Sequence, residues 1–373
     1  MTSMEIRRAA LVFGFVGVLV AGAGSVRAAN DWNPKKTWVF FVSLVKWKAP
    51  EMFGPFPEKV RKDGLFIDVL RKRGVPEDHI AFYKDAEATT AKVEAAFPAF
   101  LRRAAPDDWV IVYFEGHGYK TDGGTPYLAT YDVDDKVPGW KFDSVPSAIE
   151  RNFKGTRAVI ALDNCYSGAM ANVVKRTTRR VSYAVFASSL ASQTSTGNWT
   201  FTEAMISAFN GAAYVDDNRD GKITFAEMGK NAGEDMLFGE EQMATIAFTG
   251  NFDPQSVIAT AAAPASPRVG ERVEAYSVDG WYKGFITDKK ADKFKIHYYG
   301  YEQSDDEWVT PKMIRTPKAV QYAVGENVEV EWQKKWYPAK IVEVNGGSHF
   351  IAYNGYGHEW DEWVSSKRIR RRR

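Results

Sequence analysis

The chain has a single cysteine, Cys165, and one of its five histidines, His117, resembles it in following an apolar run and preceding a glycine-containing turn. A cysteine nucleophile requires a base that takes its proton and hydrogen-bond donors that hold the developing oxyanion. His117 can act as the base, and the backbone N–H groups of Gly118 and Cys165 can face the oxyanion. A lone cysteine is more often a small buried apolar residue than a nucleophile, so its surroundings decide between the two interpretations.

These residues need a scaffold that brings them together. Hydrophobic periodicity predicts strands at 37–44, 79–83, 108–114 and 158–162, and helices at 59–74, 90–105 and 145–153. Strands that alternate with helices of this length indicate an α/β fold with a mainly parallel sheet covered on both faces. Functional residues of such sheets collect at the carboxyl ends of the strands, so we expect His117 and Cys165 at one edge.

The two motifs resemble those of a known family. The segment 116–118, Gly-His-Gly, and the segment 163–168, Asp-Asn-Cys-Tyr-Ser-Gly, are similar to the catalytic motifs of caspase-like peptidases, nearest to the metacaspases and bacterial caspase homologues. The resemblance covers about residues 37 to 250. It implies a caspase-like three-layer sandwich at 33–258 that cleaves protein or peptide substrates through Cys165 and His117, with no organic cofactor.

Acidic residues extend this resemblance to substrate choice. Asp163 precedes the thiol by two residues, and Asp132 ends a stretch similar to the one that lines the first specificity pocket of the family. Together they imply cleavage after Arg or Lys. Glu115 departs from the family, which usually has a small residue there, and its carboxylate either raises the pKa of His117 or points to solvent. The alternative function is a catalytically inactive scaffold or binding protein.

Residues 216–227 match a calcium-binding loop pattern at every demanded position. The predicted ligands are side-chain oxygens of Asp216, Asn218, Asp220, Thr224 and Glu227 and the carbonyl of Lys222. The loop lies between two helical stretches, as an EF-hand requires, but such loops usually work in pairs and the sequence has one copy. We therefore expect a structural or weak calcium site, and the alternative is a metal-free turn that its own carboxylates brace.

Residues 1–28 have the pattern of a signal peptide, because Arg7 and Arg8 precede an apolar run that ends in a small-residue cleavage site at Ala28. The run is short for a membrane-spanning helix of about 20 residues. We expect an exported protein, periplasmic or secreted and bacterial, without a stable membrane span after cleavage. The net charge of +2 is too small to indicate a nucleic-acid partner.

After a linker at 259–268, the segments 269–316 and 324–371 form an internal repeat with a constant offset of 55 residues. Their short strands favour two small all-β SH3-like barrels. The repeats resemble Tudor, Agenet and chromo-barrel modules, some of which hold methylated side chains in aromatic cages. Candidate cage residues are Trp281, Tyr298 and Trp308 and their partners Trp336, Tyr353 and Trp363. We interpret these aromatics as barrel cores, and the barrels as modules that tether or direct the peptidase through an unidentified ligand.

Overall fold

The computed structural model of the chain describes residues 31–316, 322–332, 334–345 and 348–372. The predicted signal peptide, residues 1–28, lies outside these residues. The described chain forms an α/β domain that ends at Thr260 and two β modules that follow it. Within these ranges, no helix is long and apolar enough to cross a membrane.

The α/β domain alternates strands and helices over most of its length. Its strands are β1 (Thr37–Ser43), β2 (Ile80–Lys84), β3 (Trp109–Glu115), β4 (Gly118–Lys120), β5 (Pro126–Leu128), β6 (Trp140–Lys141), β7 (Arg157–Asp163), β8 (Ser182–Ala187), β9 (Lys222–Thr224), β10 (Thr245–Thr249) and β11 (Val257–Thr260). Its helices are α1 (Asp63–Arg73), α2 (Thr90–Leu101), α3 (Ser144–Asn152), α4 (Ala169–Thr177), α5 (Thr200–Phe209) and α6 (Phe225–Glu240). Every strand and helix predicted between residues 37 and 162 is present, with ends shifted by at most four residues.

The central sheet has the strand order β10-β8-β7-β3-β1-β2. All neighbouring pairs are parallel except β10, which is antiparallel to β8. The predicted mainly parallel sheet is therefore confirmed. Two of its interior strands, β1 and β3, are buried along their whole length, as expected for strands that helices cover on both sides.

Two apolar cores lie on opposite faces of this sheet, because successive side chains of a strand point to opposite sides. Phe40 and Val112 belong to the core shared with α2, α3 and α4. Phe41 and Tyr113 belong to the core shared with α1, α5 and α6. Each fully buried large apolar side chain contributes about 1.5–3 kcal/mol, so this packing fixes the position of the strand ends that carry the site.

The predicted linker at 259–268 begins too early. β11 pairs antiparallel with β9 through Ala259 and Thr260, so these two residues belong to the α/β domain. Ala259 is buried in the core beside α5. Small residues suit a linker, but they equally suit a strand that packs closely beneath a helix, and composition alone does not separate the two.

The two repeats fold alike. The first, barrel 1 (269–316), contains β12 (Arg272–Ser277), β13 (Gly280–Lys290), β14 (Lys293–Tyr298), β15 (Glu307–Val309) and β16 (Ile314–Arg315). The second, barrel 2 (324–371), contains β17 (Asn327–Trp332), β18 (Lys335–Asn345), β19 (Ser348–Tyr353), β20 (Glu362–Ser365) and β21 (Ile369–Arg371). Both are five-stranded antiparallel sheets with equivalent strand order. Even an irregularity after Ile286 in β13 recurs after Ile341 in β18, so the predicted duplication is confirmed.

Candidate active site

The carboxyl ends of β3 and β7 carry His117 and Cys165 to the same edge of the sheet. These strands are parallel neighbours with Glu115 in register with Asp163, and each candidate follows its strand end by two residues. Both side chains line one cavity of about 80 Å³, together with Asp163. The structure thus brings His117 together with Cys165 and Asp163, which are more than 40 residues away in the sequence.

Aromatic rings and one carbonyl hold the imidazole of His117. Its centroid lies 4.5 Å from that of Trp47 and 4.4 Å from that of Phe56, and Nε2 lies 2.9 Å from the carbonyl oxygen of Gly54. A carbonyl only accepts, so Nε2 carries the proton and Nδ1 the lone pair of the neutral ring. Burial lowers the pKa of His117 more than the Gly54 bond raises it, so the ring is a neutral base at neutral pH.

The thiol of Cys165 contacts Ser195, which belongs to the segment 190–198 that we term the thiol loop. The Ser195 N–H donates to Sγ at 3.2 Å. Burial raises the pKa of Cys165, whereas the N–H groups of Ser195, Gly118 and Cys165 itself favour the thiolate. Within the described residues, no hydrogen bond joins Sγ to the His117 ring. The resting site therefore holds a neutral thiol and a neutral imidazole rather than an ion pair.

Position 118 admits only glycine, because the chain there lies against the turn that carries the thiol. A Cβ atom would lie 2.2 Å from Asn164 Nδ2 and 2.3 Å from the carbonyl oxygen of Cys165. This close approach lets the N–H of Gly118 interact with the sulfur. Backbone donors from both sequence motifs therefore lie beside Sγ, close to the place where the carbonyl oxygen of an attacked substrate would become an oxyanion.

Two buried carboxyl groups lie behind the thiol. Asp163 lines the cavity and accepts a hydrogen bond from Thr202 Oγ1 at 2.7 Å, and burial raises its pKa to about 6. Glu115 accepts a hydrogen bond from Ser43 Oγ at 2.9 Å, and burial and the nearby Asp163 charge raise its pKa well above the ordinary value. Both predicted roles of Glu115 are wrong, since it points inward and the pKa of His117 is lowered.

Asp132 lies away from the cavity, at the N-terminus of α2. Its Oδ1 accepts hydrogen bonds from the backbone N–H of Thr90 at 2.7 Å and from Thr90 Oγ1 at 3.1 Å. A carboxylate in this place caps the helix and interacts favourably with its dipole. Among the described residues that line the cavity, Asp132 is absent, so Asp163 is the one acidic residue of the predicted pair that the structure brings to the thiol.

The predicted calcium loop is closed by its own hydrogen bonds. Asp216 accepts from the backbone N–H of Gly221 at 2.9 Å, and Glu227 accepts from the N–H and hydroxyl of Thr224, both at 2.9 Å. Asn218 and Asp220 accept from backbone N–H groups of Asp220 and Lys222. In the part of the chain that the structure describes, no three His, Cys, Asp or Glu side chains are grouped to hold a metal. This arrangement fits the metal-free alternative, and calcium binding stays a prediction.

The sequence did not predict a second site, which lies on barrel 2. A cleft of about 240 Å³, the aromatic cleft, is lined by Trp332, Tyr337, Tyr353, Tyr356, Trp360, Asp361, Glu362 and, from the thiol loop, Ser192. Of the predicted cage residues, only Tyr353 lies there. The sequence signal for this site is a difference between the repeats, because the first repeat has no tryptophan at the positions of Trp332 and Trp360.

The interpretation of the repeat aromatics as core is correct only for the tyrosines. Tyr298 and Tyr353 are buried, but Trp281, Trp308 and Trp336 are exposed. Trp281 lies 4.0 Å from the Arg315 guanidinium, and Trp336 lies 4.1 Å from that of Arg370. Trp281 and Trp336 therefore lie on the outside of the barrels in cation–π contacts.

Comparison with curated proteins gave no significant match. Among solved structures, the chain is similar to a protein of Geobacter sulfurreducens at 13% identity, over 61% of this chain and 99% of that chain, with a TM-score of 0.42. It is also similar to Tbtudor at 22% identity, over 14% of this chain and 100% of that chain, with a TM-score of 0.14. Arabidopsis thaliana AGDP1 matches at 19% identity, over 28% of this chain and 81% of that chain, with a TM-score of 0.14. These TM-scores are too low to establish a shared fold.

Family comparison gives a clear result for the repeats. Residues 270–319 match the Agenet domain. Residues 322–371 match the Tudor-knot, described as the RNA binding activity-knot of a chromodomain. Domains of these types are binding modules, and the C-terminal part of the chain is a tandem of Tudor/Agenet-type domains.

Proposed function

We propose that the protein is an exported cysteine endopeptidase with Cys165 as nucleophile and His117 as general base. The observation that carries the proposal is their common cavity at the ends of adjacent parallel strands, where backbone N–H groups also interact with the sulfur. A nucleophile, a base and oxyanion donors in one crevice are the parts that acyl transfer requires.

In the proposed reaction, Sγ attacks the scissile carbonyl carbon while its proton passes to Nδ1 of His117. The carbonyl π electrons move to oxygen, and the N–H groups of Gly118 and Cys165 stabilise that oxyanion. On its collapse the C–N bond breaks, and the imidazolium protonates the leaving amine. Water, deprotonated by His117, then hydrolyses the thioester to a carboxylic acid and regenerates the thiol. Because the pKa of the thiol is raised and that of His117 lowered, the proton moves during the attack rather than before it.

The proposed preference for Arg or Lys before the scissile bond rests on Asp163. Asp163 lines the cavity, and charge-assisted hydrogen bonds to a cationic side chain are strong in a buried site. With a pKa of about 6, Asp163 is mostly ionised at neutral pH. For peptides with Arg or Lys at this position, kcat/KM should fall as the pH falls through about 6. This fall should be larger than that for peptides with a neutral residue at the same position. In Asp163→Asn, that extra loss should disappear.

Covalent labelling tests the proposal. A peptidyl-arginine chloromethyl ketone should alkylate Cys165 in the wild type, and mass spectrometry should locate the adduct. His117→Ala should slow this reaction strongly while circular dichroism shows an unchanged fold. Iodoacetamide serves as the control reagent, since it reports the thiol without using the substrate pocket.

A catalytically inactive scaffold is the second candidate, favoured by the contact of Ser195 with Sγ and the raised pKa of the thiol. If the protein is an inactive scaffold, the arginine chloromethyl ketone should label Cys165 no faster than iodoacetamide does. His117→Ala should then leave the rate of labelling unchanged. Either finding would exclude the peptidase proposal and support the scaffold.

We also propose that the loop at 216–227 binds calcium weakly, through the oxygen ligands that its sequence pattern predicts. Carboxylates of this turn accept hydrogen bonds from backbone N–H groups. A bound calcium ion would place a cation among these carboxylates. Calcium should raise the melting temperature of the wild type relative to chelator, and Glu227→Gln should abolish the difference. Glu234→Gln, in α6 but outside the loop, is the matched control. Equal melting temperatures with calcium and chelator would leave the metal-free turn as the correct description.

Export is proposed from the sequence of residues 1–28 and has a simple test. The mature protein should begin at Ala29, and N-terminal sequencing of the protein recovered outside the cytoplasm should show this. Recovery of the intact N-terminus would favour an uncleaved anchor.

A further inference from the structure

The aromatic cleft of barrel 2 is built as a box of ring faces. The centroid of Trp332 lies 6.0 Å from that of Trp360 and 6.3 Å from that of Tyr337, at interplanar angles of 82° and 70°. Tyr356 lies 6.3 Å from Trp360 at 66°. Rings that meet at such angles form walls rather than a stack. A cation between the walls is attracted to several ring faces at once.

Acidic groups surround this box. Asp361 and Glu362 line the cleft; Asp361 contacts His358 Nδ1 at 2.9 Å, and Glu362 contacts Arg368 at 2.7 Å. An adjoining groove of about 620 Å³ shares Trp332 with the cleft. Its charged lining consists of Glu240, Glu241, Glu331, Glu362, Lys367 and Arg368. Four carboxylates against two cations leave the groove negative, so it favours a cationic ligand.

The thiol loop joins the cleft to the proposed active site. Ser192 lines the aromatic cleft, and the N–H of Ser195 lies 3.2 Å from the sulfur of Cys165. Between them, Gln193 donates to the carbonyl of Trp363 at 2.6 Å. Ser192 and Ser195 are three residues apart, so their Cα atoms are separated by at most about 11 Å. An extended peptide spans such a distance in about three residues.

We infer that the aromatic cleft is a distal subsite of the cleavage site, which binds a cationic side chain of the same polypeptide whose scissile bond lies at Cys165. The inference rests on the proposed peptidase function and adds a second position of substrate selection. Allowing for the length of the side chain, the cationic residue lies about three to five residues from the scissile bond. The ligand chemistry is an ammonium or guanidinium group, with or without N-methyl groups.

The sequence of barrel 1 indicates which substitutions the fold of barrel 2 should accept. It has the tyrosines equivalent to those of the cleft, Tyr282, Tyr298 and Tyr301, and their centroids lie 6.0 to 6.2 Å apart. At the positions of Trp332 and Trp360, however, it has Ser277 and Asp305. The double variant Trp332→Ser/Trp360→Asp therefore removes two walls of the box by using residues that already stand in the same fold.

The test measures binding to the full chain carrying Cys165→Ala, so that no peptide is cleaved. Fluorescent peptides contain one arginine at the intended scissile position and Lys, trimethyl-Lys, Arg or Gln at a position three to five residues away. A cationic residue should tighten binding about tenfold over Gln at one of these positions. The double variant in the Cys165→Ala background should lose this gain, and Trp336→Ser, which removes a tryptophan outside the cleft, should keep it.

Equal affinity for the Gln and cationic peptides, or an unchanged gain in the double variant, would overturn the inference. The inference would also be overturned if the two tryptophans were needed for binding of a single-stranded RNA oligonucleotide but not for binding of any of the peptides. Melting temperatures of both variants check that they fold. Cation-dependent binding without turnover by the wild type would overturn the peptidase proposal and leave the cation site standing. Turnover without cation dependence would overturn the subsite alone.

Discussion

Barrels 1 and 2 have the same fold but present different surfaces to the α/β domain. Barrel 1 is joined to it by buried polar groups. Arg272 contacts Asp235 at 2.9 Å, Tyr299 donates to Asp235 at 2.7 Å, and His297 contacts Glu203 at 3.0 Å. Such groups are costly to bury unless they are paired, so barrel 1 is an anchored part of the α/β domain rather than a mobile module.

Barrel 2 makes lighter contact. Gln193 bonds to the carbonyl of Trp363, and the mostly exposed Lys367 pairs with Glu241 at 2.8 Å. Five residues of barrel 1 whose side chains contact the α/β domain are replaced at the equivalent positions of barrel 2: Arg272 by Asn327, Lys283 by Pro338, Phe285 by Lys340, His297 by Ala352 and Tyr299 by Asn354. A duplicated fold has thus kept its core and changed its surface. One copy is anchored to the α/β domain, and we propose that the other binds a ligand.

The largest expected loss of stability comes from Arg272→Asn, which gives barrel 1 the residue found at the equivalent position of barrel 2. Arg272→Asn leaves Asp235, whose pKa burial already raises, without its cationic partner. Loss of one member of a buried ion pair costs about 3–5 kcal/mol. Urea unfolding measures this change in the free energy of unfolding. Arg315→Ala breaks an exposed pair with Glu274 and a cation–π contact with Trp281, each worth about 1 kcal/mol or less; equal effects of the two variants would contradict the anchoring role of barrel 1.

We also expect the free energy of unfolding to depend on pH through His297, another buried group that joins barrel 1 to the α/β domain. Burial opposes its charge, but hydrogen bonds to Asp306 and Glu203 outweigh this and raise its pKa from 6.5 to about 9. The protonated ring then contributes about 3 kcal/mol of stability that is complete below pH 6.5 and lost as the pH rises through about 9. Urea unfolding from pH 6 to 10 should show this decline, and His297→Ala should flatten it. His349→Ala in barrel 2 is the control, and a slope that survives in His297→Ala would assign the decline to other groups.

The smallest effect concerns barrel 2. Gln193→Ala removes one neutral hydrogen bond, to the carbonyl of Trp363, and should cost about 0.5–1.5 kcal/mol. Gln303→Ala, on the exposed surface of barrel 1, should change the free energy of unfolding by less. If Gln193→Ala destabilises as much as Arg272→Asn, the two barrels are anchored alike and the contrast between them is wrong.

The general position of the site could be predicted from the sequence. Apolar runs ending at residues 114 and 162 mark neighbouring buried strands, and parallel strands deliver whatever follows them to one edge. His117 and Cys165 therefore lie close together because of the order and direction of the strands, and not because of detailed side-chain packing. The repeat was equally visible, since its offset is constant.

Details that depend on contacts between distant segments could not be predicted. Asp132 caps α2 because Thr90 lies beside it, and Glu115 turns inward because Ser43 of a neighbouring strand offers a hydroxyl. The aromatic cleft depends on Trp332 and Trp360, which are 28 positions apart in the sequence and meet only when the barrel forms. Each of these outcomes is decided by a partner that local sequence patterns do not identify.

The most direct test of the central claim is hydrolysis of fluorogenic peptides with Arg, Lys or Asp before the scissile bond, by the wild type and by Cys165→Ala, with calcium and with chelator. The proposed peptidase activity requires turnover of the Arg and Lys peptides by the wild type, little turnover of the Asp peptide, and none of any peptide by Cys165→Ala. Turnover that persists in Cys165→Ala, or none by the wild type with or without calcium, would contradict it.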